Sequence, residues 1–486
     1  MNNTQQQRKW ISRTCLAAGR AVLALAMVLV SAIVTTPSAQ AQTVTTLHAF
    51  DGADGETPLA AMIQGADGNL YGTTRYGGVN NDGTVFKMTP SGTLTTLHSF
   101  DGADGTWPFA GLVQAANGNF YGTTYNGGAN GDGTVFEITP GGKLTTLYSF
   151  CSQSGCTDGE DPHAGLIQAT NGNFYGTTIG GGTNGLGTVF EITAKGALTT
   201  LHSFNGADGC IPYAGLVQAS NGNFYGTTYN CSPYGDGTVF EITPAGTLTT
   251  LYKFCFEGGF CADGADPYAA LIQASNGNLY GTTVGGGAYG TGFDGTVFEI
   301  TPSGTLTTVY SFCPDGCTDG DEPYAGLVQA TNGNFYGTTL LGGTEAFGTL
   351  FEITPSGTLT TLYTFDITDG ENPAAGLVQA TNGVFYGTTE AGGANLLGTV
   401  FSLSVGLGPF VETQPTSGKV GAAVRILGTS LTGATSVTFN GTAATFKVVS
   451  KSEITTTVPT GATTGTVEVT TSRGTLKSNT KFRVTP

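Results

Sequence analysis

From residue 43 to residue 404 apolar side chains come in short runs of five to eight residues, rich in Val, Ile, Thr, Phe and Tyr and bounded by Gly, Pro, Asn or Asp. Such runs predict β-strands, because β-branched and aromatic side chains pack well on a pleated surface and the bounding residues turn the chain. The three- and four-residue apolar spacing of a helix does not occur in this region, so no helix is expected there. Four runs recur in fixed order, seen around the second copy as 93–100 (TLTTLHSF), 110–114 (AGLVQ), 119–124 (NFYGTT) and 134–139 (TVFEIT). The phrase N-G-N-F-Y-G-T-T, or a close variant, marks each copy. Its tyrosine falls at Tyr71, Tyr121, Tyr175, Tyr225, Tyr280, Tyr336 and Tyr386, at spacings of 50, 54, 50, 55, 56 and 50 residues.

A period near 50 with four strands per unit is the pattern of an all-β, seven-bladed β-propeller; the competing arrangement is an open solenoid of stacked repeats. Tight-turn signals set the phase. N-G joins GLVQA to NFYGTT, and P-S-G joins VFEIT to TLTTL, so a blade runs A (GLVQA), B (NFYGTT), C (TVFEIT), D (TLTTLYSF). In that phase residues 43–50 form a lone D strand and residues 399–404 a C strand with no D of its own. The N-terminal strand is therefore expected to complete the last blade. The A–B and C–D turns are short and nearly constant, whereas the D–A and B–C loops vary, so a ligand is expected on the D–A/B–C face.

Residues 1–41 have the layout of a secretory signal: Arg8, Lys9, Arg13 and Arg20, an apolar stretch over 21–34, and Ala39-Gln40-Ala41 as a cleavage site. An uncleaved membrane anchor is the alternative. The 14-residue apolar stretch is shorter than the ~20 residues a spanning helix needs. No later segment is apolar enough to span a membrane, so an exported monomer is expected, in the periplasm, at the cell surface or outside the cell.

Eight cysteines follow the signal, an even number that suggests disulfides in an exported chain. The D–A loops after Phe150, Phe254 and Phe312 are longer than the other four, and each carries a close pair: Cys151 with Cys156, Cys255 with Cys261, and Cys313 with Cys317. Cys210, in a D–A loop, and Cys231, in the B–C loop of the same blade, remain as the fourth pair. Cys231 replaces the first glycine of a Gly-Gly pair present in the other six copies. The metal alternative is a thiolate zinc site, for which Cys313 and Cys317 have suitable spacing.

All seven D–A loops carry D-G-x-x-P, with Asp54, Asp104, Asp158, Asp208, Asp263, Asp319 and Asp369. Because strand A is innermost, these loops are expected to ring the mouth of the central channel. Their carboxylates suit a Ca²⁺ or polyol site; equally, Asp caps its own turn while Gly supplies a positive φ. No cofactor other than this calcium is implied. His48, His98 and His202 fill a slot that holds tyrosine elsewhere, and His163 fills one held by Tyr213, Tyr268, Tyr324 and Phe109, so all four are expected to pack rather than to act as bases. No catalytic residue is assigned. The tyrosines and phenylalanines of Y-G-T-T and V-F-E-I-T are expected to form the core between blades.

Charge divides the chain. Residues 42–404 hold 5 basic and 31 acidic side chains, whereas 410–486 hold 8 basic and 3 acidic, and 405–409 reads as a linker. The acidic excess argues against nucleic acid as a partner. Short strands with Gly/Thr turns predict a small β-sandwich for 410–486.

Two family resemblances have residues behind them. The stretch 414–431 (QPTSGKVGAAVRILGTSL), followed by VTFNGTAA and ITTTVPTGATTG, resembles an IPT/TIG domain, which implies an immunoglobulin-like sandwich over 410–486. The seven G-L-V-Q-A-x-N-G-N-F-Y-G-T-T…G-T-V-F-E-I-T-P units resemble the GloVer (Gloeo/Verruco) tandem repeat of exported bacterial proteins. That resemblance implies export and no particular activity. The expected function is a non-catalytic binding or surface-interaction protein that meets a glycan or cell-envelope protein through its acidic loop face. The alternative is a polysaccharide-active hydrolase or lyase with acids at the channel mouth. Thiol titration of the denatured, unreduced mature protein should find none of the eight cysteines free; eight free thiols would refute the pairing.

Overall fold

The computed structural model describes residues 42–231, 235–255, 261–289 and 294–485. The expected signal segment lies outside them. Among the described residues the chain is almost wholly strand and turn, and no helix is long and apolar enough to cross a membrane.

Each repeat folds as a four-stranded antiparallel sheet, and seven such sheets occur among the described residues of the repeat region. In the second, A is Val113–Gln114, B is Phe120–Thr124, C is Thr134–Ile138 and D is Leu144–Ser149. Strand A is shorter than its apolar run because the residues before it serve the neighbouring sheet: Thr73 Oγ1 donates to the Ala110 carbonyl at 2.9 Å. Strand D carries a one-residue bulge against C in six sheets, at Leu97 in the first, and the same shift occurs at Leu47 in strand Thr43–Ala49. Leu47 and Phe50 are three apart and would face opposite sides of a regular strand. The extra residue turns both into one core cluster.

Closure occurs at two levels. Strand Thr43–Ala49 pairs antiparallel with Thr399–Ser404, Thr43 opposite Ser404 and Ala49 opposite Thr399, completing the sheet of the last repeat. Nearer the axis, a glutamine at the end of each A strand accepts from a backbone N–H of the preceding repeat. The relay runs from Ala66 N to Gln114 Oε1 (2.9 Å), then through Gln168, Gln218, Gln273, Gln329 and Gln379, and returns from Thr381 N to Gln64 Oε1 at 2.8 Å. That last bond joins the seventh repeat to the first and excludes an open solenoid.

The core is distributed between sheets rather than held in one mass. Tyr121 stacks on Phe174 of the next repeat with centroids 4.1 Å apart, and Tyr71 does the same with Phe120. One cluster joins Tyr386 and Val400 of the last repeat to Leu70 and Phe86 of the first, so the apolar ring has no seam. Each buried tyrosine keeps its hydroxyl on a polar network at the A–B turn. Tyr121 Oη donates to Glu137 at 2.8 Å, and Asn119 donates to the same oxygen at 2.6 Å. In the first repeat Asp67 and Lys87 take the turn and strand positions of Asn117 and Glu137 and pair at 2.7 Å, so the exchange is compensated.

Residues 411–485 form two four-stranded sheets, with Val411–Gln414 on an edge of one. A single core of Val424, Ile426, Val437, Phe439, Ile454, Val467 and Phe482 lies between them. This module sits on the A–B face of the ring. Ser452 Oγ donates to the Ala66 carbonyl at 2.7 Å, Arg425 Nη1 to the Ala115 carbonyl at 3.2 Å, and Arg483 to the Ser220 carbonyl. Glu412, Gln414 and Pro415 line one pocket with Gln114, Ile167 and Val217, so the first strand of the module lies across the channel end. Arg425 is also held by Glu453 at 3.0 Å. The basic module thus meets the acidic ring mainly through backbone carbonyls.

Deleting residues 43–50 should abolish the cooperative melt of the ring, since it strips the outer edge of the closing sheet and removes fully buried Phe50. Differential scanning calorimetry checks this; an unchanged transition would contradict the closure.

Candidate ligand-binding site

The D-G-x-x-P loops place two kinds of side chain in opposite directions. Each aspartate turns outward. His48, His98 and His202 bond Asp54, Asp104 and Asp208 through Nε2 at 2.7, 2.6 and 2.9 Å. Tyr148, Tyr252 and Tyr310 donate to Asp158, Asp263 and Asp319 at 2.6, 2.9 and 2.7 Å, and Tyr363 donates to Asp369. These rings belong to strand D, the outermost strand. The expectation that the seven carboxylates ring the channel mouth is therefore corrected: Asp54 also accepts from Asp51 N at 3.0 Å, and Asp104 from Asp101 N at 3.0 Å, so these carboxylates close their own loops. The shared slot of histidine and tyrosine is explained, because either ring offers a donor to the aspartate.

The residue two beyond the glycine adopts a left-handed backbone in every copy: Thr57, Trp107, Asp161, Ile211, Asp266, Glu322 and Asn372 have φ between 52° and 58°. The proline after it then directs the next side chain over the axis. That position holds Phe109, His163, Tyr213, Tyr268 and Tyr324 in five successive repeats, and Leu59 and Ala374 in the first and last. The five rings touch in series, with centroids 4.7, 4.9, 4.8 and 4.9 Å apart. They converge far enough for His163 and Tyr268, two repeats apart, to meet: Tyr268 Oη lies 3.1 Å from His163 Nε2. Tyr125 and Tyr229, from the ends of the B strands, pack edge-on against Phe109 and Tyr213. All seven rings are half-buried.

Acids flank this aromatic floor. Burial, reinforced by the charges of Glu160 and Asp132, pushes the Asp161 carboxyl up to about 6. Burial with Asp236 does the same for Asp266, and burial with Asp294 for Asp321, each up to about 6. Glu322 is also raised, by burial and then by Asp321. His163 is pushed down to about 4 by burial, so it is neutral at physiological pH. Among the described residues Arg75 is the one basic side chain at this mouth. Its guanidinium lies over the rings of Phe109 and Tyr76, 4.5 Å from each centroid.

The structure joins Cys151 to Cys156, Cys210 to Cys231, Cys255 to Cys261 and Cys313 to Cys317. At the Gly-Gly position a side chain is normally excluded: a Cβ on Gly77 would lie 2.6 Å from the Gly55 carbonyl carbon. Cys231 occupies that position with φ 59° and is tied to the facing loop. Carboxylates of Asp132, Asp236 and Asp294 lie within 4.8 Å of the three short-loop sulfur pairs. A sulfur bonded to sulfur is no longer the thiolate that binds zinc.

The sequence pattern did not single out the aromatic arc or Arg75. His163, expected to pack, lies at the centre of the mouth. The available signal was the slot itself, five aromatic residues at one position beside the innermost strand.

Repeated four-stranded sheets around a closed axis, with variable loops meeting over one end, define a β-propeller. The chain belongs to the Gloeobacter/Verrucomicrobia repeat family, whose pattern matches residues 33–160, 152–318 and 288–472. No curated protein sequence matches it. Among solved structures it is similar to a virginiamycin B lyase from Staphylococcus aureus, at 13% identity and a TM-score of 0.50 over 75% of this chain and 98% of that one. A candidate 6-phosphogluconolactonase from Bacteroides fragilis matches at 19% identity and a TM-score of 0.42, over 65% and 86% of the two chains. The first likeness supports the propeller fold.

Asp266→Asn should raise stability at pH 7.5. The folded pKa of Asp266 lies above the unfolded one, so the charged carboxylate costs stability as pH rises from about 4 through 6. Asn keeps the left-handed backbone that position requires. After allowance for solvent screening the gain is about 1 kcal/mol. Thermal melts should show the variant ahead at pH 7.5 and level with the parent at pH 4.

Proposed function

We propose that this chain is an exported, seven-bladed propeller with a C-terminal immunoglobulin-like module of the IPT/TIG type, and that it is a binding protein whose ligand is a glycan seated at the D–A/B–C mouth. The observation that carries this reading is the arc from Phe109 to Tyr324. Half-buried aromatic rings with a few convergent polar groups form the usual lining of a ligand site, and flat apolar faces beside carboxylates suit the C–H faces and hydroxyls of a sugar ring. The four disulfides fit an oxidising compartment outside the cytoplasm. The first strand of the module lies across the opposite channel end, which favours approach of a ligand from the loop face.

A second reading, a polysaccharide-active enzyme, draws support from Asp161, Asp266 and Asp321, whose raised pKa values suit acid–base work near neutrality. Against it, Nε2 of His163 is taken up by the Tyr268 hydroxyl.

A glycan array with the mature protein, repeated with Tyr213→Ala and Tyr268→Ala, tests the proposal. Each variant should lose about tenfold in affinity, the effect of one stacking face. A reducing-end assay on every glycan bound should detect no product. Released product would overturn the binding role in favour of the enzyme, and binding indifferent to both substitutions would remove the ligand from this mouth.

A further inference from the structure

The mouth is not seven-fold equivalent, and its irregular sector carries the strongest unmet polar demand on this face. Where five repeats place an aromatic ring, the first and last place Leu59 and Ala374. At the B-strand end, where Tyr125 and Tyr229 stand in two other repeats, the first and last repeats hold Arg75 and Glu390. The Arg75 side chain makes no hydrogen bond and no ion pair among the described residues; its guanidinium lies against the faces of Tyr76, Trp107 and Phe109. Its Nε–H is buried without an acceptor. On the same loop face Asp321 keeps Oδ1 buried without a donor.

A buried, unmet donor on a charged group is costly to leave unpaired. With 31 acids in the ring, a structural arginine would readily be paired. Arg75 instead lies flat on aromatic rings, which fixes the plane of its fork while leaving its N–H edge uncommitted. A guanidinium held in this way matches a planar anion through two parallel hydrogen bonds. Its charge is felt across the site, at Tyr125, His163, Tyr268 and Glu390.

We infer that the mouth selects a carboxylate-bearing saccharide, a uronic acid unit whose carboxylate sits on the Arg75 guanidinium while its ring lies against Phe109 and the rings beyond. The inference rests on the glycan reading above. The long-range repulsion between an acidic polymer and an acidic ring is screened beyond about 8 Å at physiological salt, and the desolvated contact at Arg75 decides selectivity.

The test uses the mature protein and matched pairs of oligosaccharides: galacturonate, mannuronate/guluronate and glucuronate oligomers, each beside its carboxyl-reduced counterpart. Isothermal titration should show at least one acid form binding about tenfold tighter than its reduced partner. Arg75→Gln, checked by its melting temperature, should bring that pair to near equality, and Arg75→Lys, which keeps the charge without the fork, should keep only part of the preference. Equal binding of acid and reduced forms by the parent, or a preference that survives in Arg75→Gln, overturns the uronate assignment and leaves a neutral-glycan site standing. No binding of any saccharide overturns the assignment together with the glycan reading beneath it.

Discussion

Seven inner strands share one axis, and the closeness of their approach governs the rest of the molecule. A Cβ built on Gly111 would lie 2.5 Å from the Ala61 carbonyl oxygen, and on Gly165, Gly215, Gly326 and Gly376 between 3.1 and 3.4 Å from the equivalent oxygen of the preceding repeat. Only glycine or alanine fits there, as the A strands show. From that packing follow the two-residue inner ladders, the glutamine relay and the wedge of Tyr and Phe that widens outward between sheets. It also forces the residues just before strand A to converge, which is why five aromatic rings on separate repeats become neighbours.

The two faces of the ring answer different needs. On one, the nearly constant N-G turns present backbone carbonyls to Arg425, Ser452 and Arg483, and the module lies across the channel end. On the other, loop length, disulfides and side-chain identity vary from copy to copy. Placing the variation on one side and the module on the other leaves a loop face floored by rings, in which a single arginine stands among carboxylates.

How much of this was legible in the sequence depended on whether an interaction lay within a repeat or between repeats. The four-strand order and its phase were visible, because turn residues and apolar runs act locally. The partner of residues 43–50 was visible too, because a D strand was missing at one end and spare at the other. The aim of the side chains was harder to see. Asp54 and its six equivalents stand next to strand A in sequence, yet their carboxylates reach back to strand D, since the bulge there brings a ring within 3 Å. His163 shares its slot with Tyr213 and Tyr268, and a slot alone does not tell a buried packing position from a surface one at the axis. Arg75 gave no signal beyond being one of five basic residues in an acidic region.

The pairing of Thr43 with Ser404 has a temporal side. Strand Thr43–Ala49 precedes all seven repeats, yet its partner strand belongs to the last of them, and Asn395, which donates to the Phe50 carbonyl at 2.9 Å, lies 345 residues downstream. Every sheet but one can form from contiguous chain, so the repeats can assemble in the order of synthesis while one sheet waits with an unpaired edge. The ring therefore closes only in the event that pairs Thr43–Ala49 with Thr399–Ser404. Only after that event do Ala66 in the first repeat and Thr381 in the last stand where the C-terminal module can bridge them.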